Sequence, residues 1–257
     1  MNERVLSAPN STKQSNVEAA SGLDLARHTP SKLFIKYATD RLVGVIGLII
    51  LSPLMFLTAI AVRVSLGNPI IFSQPRVGLH GRIFRIYKFR TMRDIQDPQG
   101  CPLPDDQRTT PLGNLLRRAK LDELPQMFHV ANGDMSLVGP RPLMPFPDDP
   151  KQVQPNIHYA LQSGGGPLDA LRRQMKPGIT GWTQVNGNTR FSLGDRMRLD
   201  AWWIRHFSLS LDLRIIFMTL RVLLLDEQVN HAALQAAHTE LPPHWRGSTL
   251  DSADGAE

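Results

Sequence analysis

Leu42 to Val62 reads LVGVIGLIILSPLMFLTAIAV, twenty-one residues without a charge, and no other feature narrows so far what this chain can become. The stretch is long enough for a helix to cross a hydrocarbon layer of ~30 Å. Ser52-Pro53 falls at its midpoint, where proline lacks the amide donor that a helix uses and its ring crowds the preceding turn. Each half would then hold about 10 residues, or roughly 15 Å, half the hydrocarbon thickness. The Ser52 hydroxyl stands where it can satisfy a carbonyl that the proline strands. Both flanks are basic: Lys32, Lys36 and Arg41 before, then Arg63, Arg76, Arg82, Arg85, Lys88 and Arg90 after. A crossing helix normally carries its lysines and arginines on one side. Basic residues on both sides suit a re-entrant helix that dips in, bends and returns. On these residues alone a kinked, spanning helix remains open.

The rest of the chain is long enough for one domain with appendages. Its 257 residues carry a formal net charge of +6, unevenly placed: from Arg63 to Lys120 there are eleven Lys or Arg against four Asp. Such a segment suits polyanions, whether nucleic acid, anionic lipid or nucleotide phosphate. The single cysteine, Cys101, excludes a disulfide framework and a cysteine metal cluster and fits a reducing compartment. Residues 1–30 are polar, without a signal-peptide core, and are expected to be a mobile leader. Residues 226–257 show no strong period and are expected to be a mobile tail. Between them the sequence divides into a membrane helix over 31–64 and a domain over 65–225.

That domain reads as helix-rich α/β. Ile70 to Gln74 and Gly81 to Tyr87 have the composition of two strands joined through glycine, a small β-hairpin. Thr110 to Lys120 reads as a short helix with Thr110 as N-cap and Pro111 in the first turn. Val153 to Gln174, with three consecutive glycines at 164–166, reads as an irregular insertion. Leu209 to Leu225 is apolar but interrupted by Asp212, Arg214 and Arg221. With Trp202 and Trp203 just upstream, it suits an amphipathic helix lying in a membrane interface; a buried amphipathic helix of the core, with both tryptophans as packing residues, stays open beside it, and one helix can do both.

The chemistry concentrates in Leu121-Asp122-Glu123-Leu124-Pro125-Gln126 and Gly133 to Pro142. Adjacent carboxylates beside fixed cations are what chemistry on a metal-bound phosphate needs. Arg117 and Arg141 are the best phosphate clamps, because a guanidinium grips two phosphate oxygens at once. Arg141 is held between Pro140 and Pro142. Lys88 and Arg90 form a second cationic pair. Eight histidines show no metal-ligand spacing, and His80, His129 and His158 read as surface or packing residues.

Taken in order, these motifs resemble the bacterial sugar transferase family, the monotopic phosphoglycosyl transferases. The match runs from about Ser31 to Leu225. It rests on the Ser52-Pro53 segment, Lys88 to Met92, Leu121 to Gln126, Gly133 to Pro142, Lys176 to Trp182, Gln184 to Gly187, and Asp200 with its Trp pair. The resemblance implies a monotopic enzyme on the cytoplasmic face of the bacterial inner membrane. It implies transfer of a phospho-sugar from a UDP-sugar to polyprenyl (undecaprenyl) phosphate, with release of UMP and with Mg²⁺, at the start of exopolysaccharide, O-antigen or similar glycan assembly. By the same resemblance Asp122 is the nucleophile and forms a covalent phospho-sugar intermediate. Glu123 then helps hold the metal together with Asp122, and Gln184 and Asn186 lie on the nucleotide side. Nucleic acid is not an expected partner, inner-membrane lipid is, and a homo-oligomer remains open.

Three departures from the family pattern stand out. Lys120 occupies a position where a small hydroxyl residue is usual. Asn188 replaces a usual arginine, a role that Arg190 is placed to take. The insertion over about 147–171 is longer than in compact members. Two other readings compete: the same transfer without a covalent step, and a membrane-tethered polyanion-binding module. The second gives Asp122 no role and lacks aromatics interleaved with its basic residues.

Overall fold

The structure, a computed structural model, describes residues 30–147, 159–160, 167–225 and 229–241. The expected leader, the glycine triplet, His158 and most of the 147–171 insertion lie outside these residues.

Helix α1, Pro30–Leu66, is one 37-residue element, about 55 Å long at ~1.5 Å per residue. Ser52-Pro53 does not end it: Pro53 sits inside the helix, so the expected separation into two short helices is not found. The stranded carbonyl is served as its chemistry requires. Pro53 cannot donate to Ile49, four residues back, and the Ser52 hydroxyl donates to that oxygen instead at 2.8 Å. Lys36, Asp40, Gly44, Thr58 and Val62 form its buried stripe, a spacing close to the helical repeat. The opposite face leaves Ile49, Ile50, Phe56 and Leu57 exposed. Gly44 is required by close approach, since a Cβ there would collide with the backbone at Ala131.

Strands β1 (Ile71–Val77) and β2 (Ile83–Phe89) pair antiparallel, with Phe72 opposite Lys88 and Arg76 opposite Phe84. The expected hairpin is present, with β1 running three residues past its expected end at Gln74. After a one-turn helix α2 (Asp105–Arg108) comes α3 (Pro111–Arg118), whose N-cap Thr110 accepts from the Gly113 amide at 3.0 Å. A 3-10 turn, Leu121–Gln126, then leads into α4 (Met127–Asn132). Strand β3 (Ser136–Val138) pairs in parallel with β6 (Gly178–Thr180), and β4 (Met144–Pro145) with β5 (Tyr159–Ala160). Helices α5 (Pro167–Arg172), α6 (Trp182–Asn186), α7 (Leu193–Arg205), α8 (Leu209–Leu225) and α9 (His231–Glu240) complete the described chain.

The main core joins Leu168, Leu171 and Met175 to Met197, Leu199, Trp203, Ile204 and Ile215. Residues 167–175 are therefore core and not irregular insertion. The paired tryptophans are internal as well. Trp203 is buried and donates from Nε1 to Asp212 at 3.0 Å, while Trp202 stacks between Trp182 and His206. Asp212 finds Lys36 of α1 at 2.6 Å, so the charge interrupting α8 faces inward. Arg214, Phe217, Leu220, Arg221 and Leu224 of α8 are exposed together. The expected mobile tail does not hold for 229–241. Asn230 caps α9, Ala233, Ala237 and Leu241 are buried, and Glu240 accepts from Trp202 Nε1 at 2.9 Å.

Candidate active site

The acidic pair sits on the 3-10 turn after α3. Lys120, in the left-handed region at φ 54°, reverses the chain there. A non-glycine residue in that region carries some strain, and the turn that follows buries Asp122 and half-buries Glu123. Asp122 is buried, and its Oδ1 has no hydrogen-bond partner among the described residues. Burial and then Glu123 push the Asp122 carboxyl above its ordinary value, against Lys88, Lys120 and Arg117. Glu123 behaves oppositely. Burial disfavours its charge, but Lys88 and Arg141 outweigh burial and hold it at about 2. Lys88 Nζ lies 2.5 Å from Glu123 Oε1 and Arg141 Nη2 3.9 Å from the same oxygen. The turn thus presents one carboxylate whose ionised form is strongly favoured beside one more basic carboxylate with an unused oxygen.

Arg141 is positioned through its backbone. Gly139 and Gly178 approach so closely that a Cβ on either would strike the other strand's backbone. Their amides donate to Thr180 and Pro140 carbonyls at 2.9 and 3.0 Å. Arg172 Nη2 donates to the Arg141 carbonyl at 2.8 Å while its Nε holds buried Asp200 at 2.7 Å. Thr183 donates to the other Asp200 oxygen at 2.5 Å. Arg117 donates from Nε to Thr91 at 3.0 Å, which links α3 to the segment after β2.

The structure therefore brings together Asp122, Glu123, Lys88, Arg117 and Arg141. Arg90 is engaged elsewhere: it donates to the carbonyls of Leu66 and Asn68 and so closes the C-terminus of α1. Asn186 is fully buried, donating to Trp182 at 2.7 Å and accepting from Asn230 at 2.7 Å, which fastens α9. Gln184 is on α6 with both amide atoms buried and unpaired, and Arg190 is exposed beyond that helix. Among the described residues no hydrogen bond or ion pair joins Gln184, Asn186 or Arg190 to the acidic pair. His129 packs against Phe84, Tyr87 and Phe128 as expected of a packing residue. Sequence reading missed Arg172 and Arg76. The first fell in the supposed insertion. The second lies past the expected strand end, and only the full strand reveals which residues share its face.

Among the described residues no cluster of three or more His, Cys, Asp or Glu exists. Mg²⁺ does not need one, since it is held by one or two carboxylates together with substrate phosphates and water. Glu123, held ionised by Lys88 and Arg141, with the Asp122 carboxylate beside it, fits that donor set.

A buried acidic pair ringed by cations, on a domain that carries a long apolar helix, is the arrangement of a candidate active site. The chain belongs to the bacterial sugar transferase family, whose profile matches residues 31–226. It is similar to the uncharacterized sugar transferase EpsL of Bacillus subtilis, 39% identical over 210 residues that cover 79% of this chain and 95% of that protein. It is 39% identical over 194 residues to the undecaprenyl-phosphate glucose phosphotransferase of Komagataeibacter xylinus, covering 72% of this chain and 35% of the relative. A UDP-glucose:undecaprenyl-phosphate glucose-1-phosphate transferase of Xanthomonas campestris is 41% identical over 193 residues, 72% of this chain and 37% of the relative. The chain thus spans nearly all of the first relative and little more than a third of the other two.

Proposed function

We propose that this chain is a phosphoglycosyl transferase moving a sugar-1-phosphate from a UDP-sugar to polyprenyl phosphate, with Asp122 as covalent nucleophile. The observation that carries the reading is the unpaired, buried Asp122 oxygen beside an ionised Glu123 and surrounded by Lys88, Arg117, Lys120 and Arg141. A desolvated carboxylate of raised basicity is a better nucleophile than a solvated one. The cations are more than the two carboxylates can neutralise, and two substrate phosphates supply the missing negative charge.

In the first step Asp122 Oδ1 attacks the phosphorus that carries the sugar, and the bond to the UMP oxygen breaks. UMP leaves with that electron pair and an acyl phosphate forms on Asp122. In the second step a lipid phosphate oxygen attacks the same phosphorus, the acyl bond breaks and the Asp122 carboxylate returns. The product is a polyprenyl diphospho-sugar. Lys88 and Arg141 keep Glu123 ionised and meet phosphate oxygens, and Arg117 does so from the α3 side. Asp122 and Glu123 would hold Mg²⁺, which supplies charge neutralisation on the diphosphate. Chelation should abolish turnover and added Mg²⁺ restore it.

We place the site on the cytoplasmic side of the inner membrane, with both ends of α1 on that side. The support is mechanical: α1 is fastened to one body at both ends. Near its start Lys36 holds Asp212, and at its end Val62 packs on Phe89 and Leu116 while Arg90 caps Leu66. A helix so tied runs along the domain, and the exposed apolar faces of α1 and α8 meet lipid. UMP release from a panel of UDP-sugars, with polyprenyl phosphate and Mg²⁺, tests the function. Release with at least one sugar is expected. No release with any sugar, by protein that is folded and lipid-embedded, would remove the proposal.

A further inference from the structure

We infer that Arg76 is a further substrate-binding residue, taking a phosphate oxygen of a substrate beside Arg141; this rests on the transfer reaction proposed above. The hairpin register supplies the geometry. Residues directly opposite in an antiparallel pair point to the same face, and so do residues two apart along a strand. Phe72 is opposite Lys88 and Arg76 opposite Phe84, so Arg76 shares the face from which Lys88 reaches Glu123. Four strand positions separate them, or ~13 Å. Arg85, opposite Pro75, belongs to the other face, and its guanidinium is exposed and bonded to Ser73.

The end of β1 is also tied to the Arg141 turn. The Val77 amide donates to Leu143 at 2.9 Å and Gln74 Nε2 contacts Met144 sulfur at 3.4 Å. Lys88 and Arg141 both meet Glu123, and Arg76 feels the charge of Arg141 and of Glu123 from the far end of the same hairpin face, a spread of cations suited to a diphosphate or to two phosphates in succession.

Arg76 has donors to spare. A guanidinium carries five N–H groups, and among the described residues the Arg76 side chain makes one hydrogen bond, from Nη2 to the neutral amide oxygen of Gln74 at 2.7 Å. Among the described residues no carboxylate lies within salt-bridge distance of it. Burial, and then the neighbouring Arg141, push this guanidinium down to about 10, with Glu123 opposing. A half-buried cation held near another cation, with no acid of its own, is a costly arrangement unless an anion joins it.

The test measures UMP release by the full chain in lipid for the wild type, Arg76→Gln, Arg76→Lys and Arg85→Gln. One arm varies UDP-sugar at saturating polyprenyl phosphate and the other varies polyprenyl phosphate at saturating UDP-sugar. Arg76→Gln should lower kcat/KM by about tenfold or more for at least one substrate, the scale of a charge-assisted bond. The arm affected identifies whose phosphate is bound. Arg76→Lys should recover part of the loss, and Arg85→Gln should match the wild type, all at unchanged melting temperature. Arg76→Gln within twofold of wild type in both arms overturns the inference and leaves the reaction standing. So does a loss that accompanies a lowered melting temperature and is not relieved in Arg76→Lys. A wild type that releases no UMP removes both.

Discussion

Two groups of buried charge in this molecule are built on opposite terms. In the network joining α1 to α8, Lys36 lies between Asp212 at 2.6 Å and Asp40 at 3.4 Å. Trp203 adds a donor to Asp212 and Ser136 one to Asp40. Burial pushes the Asp212 carboxyl up, and Lys36 and Trp203 push back. Arg172 and Asp200 form a second closed pair of this kind. Around Asp122 and Glu123 the balance is left open: cations exceed acids, one carboxylate oxygen has no partner, and Arg76 and Arg141 oppose each other. Closed networks hold the fold, and the open one waits for ligand charge. Substitutions should therefore separate stability from activity according to the group they touch.

The largest effect should come from Asp122→Asn. Turnover should fall by at least about 10³-fold, as when a nucleophile is removed. Stability should be equal or slightly higher, because the amide removes a desolvated charge whose Oδ1 bonds to nothing. Paired UMP-release and thermal-melting measurements check this, and a retained rate would break the comparison at its centre. Lys36→Met should do the reverse. It leaves Asp40 and Asp212 buried without their cation, a loss of about 3–5 kcal/mol that a denaturant titration would read. An unchanged midpoint would mean that the network is not closed in the way described.

Arg141→Lys keeps the charge and loses the forked grip. We expect about 2–3 kcal/mol less transition-state stabilisation, measured as kcat/KM, with little change in melting. The smallest effect concerns pH. As the proposed nucleophile, Asp122 must be ionised to attack, and its pKa is raised, so activity should fall with decreasing pH sooner than for an ordinary aspartate. Glu123→Gln removes the like charge and frees Lys88 and Arg141, and both changes lower the Asp122 pKa. The acid limb of kcat/KM, in the residual activity of that variant, should move to lower pH. A limb that stays or rises would show that Asp122 is not the group being titrated.

What sequence could reveal follows from how local each cause is. Helix α3 was legible because Thr110-Pro111 carries its own start signal, and the hairpin because two runs of strand composition flank a glycine-containing turn. The acidic pair stood out because both acids and the proline lie within six residues. Arg90 and Asn186 were read as binding residues because their motifs are polar and cationic. Their partners, the end of α1 and Asn230, are brought to them only by the fold. Trp202 and Trp203 look interfacial beside an arginine, but Asp212 and Glu240 arrive from other helices to satisfy their indoles. In the tail, Ala233 and Ala237 are too small to give a strong apolar period, although they suffice to seat α9 against α7. Arg172 and Arg76 act across long sequence separations, and nothing beside them in the chain marks them.

The covalent role of Asp122 is open to one direct measurement. UDP-sugar labelled with ³²P at the sugar-bearing phosphate is mixed with protein in lipid and Mg²⁺, without acceptor, and the chain is recovered under acid. The wild type should carry label in amounts matching the UMP released. Hydroxylamine or added polyprenyl phosphate should remove that label, and Asp122→Asn should carry none. Complete transfer to lipid by a wild type that never holds label, or label persisting on Asp122→Asn, would contradict the account.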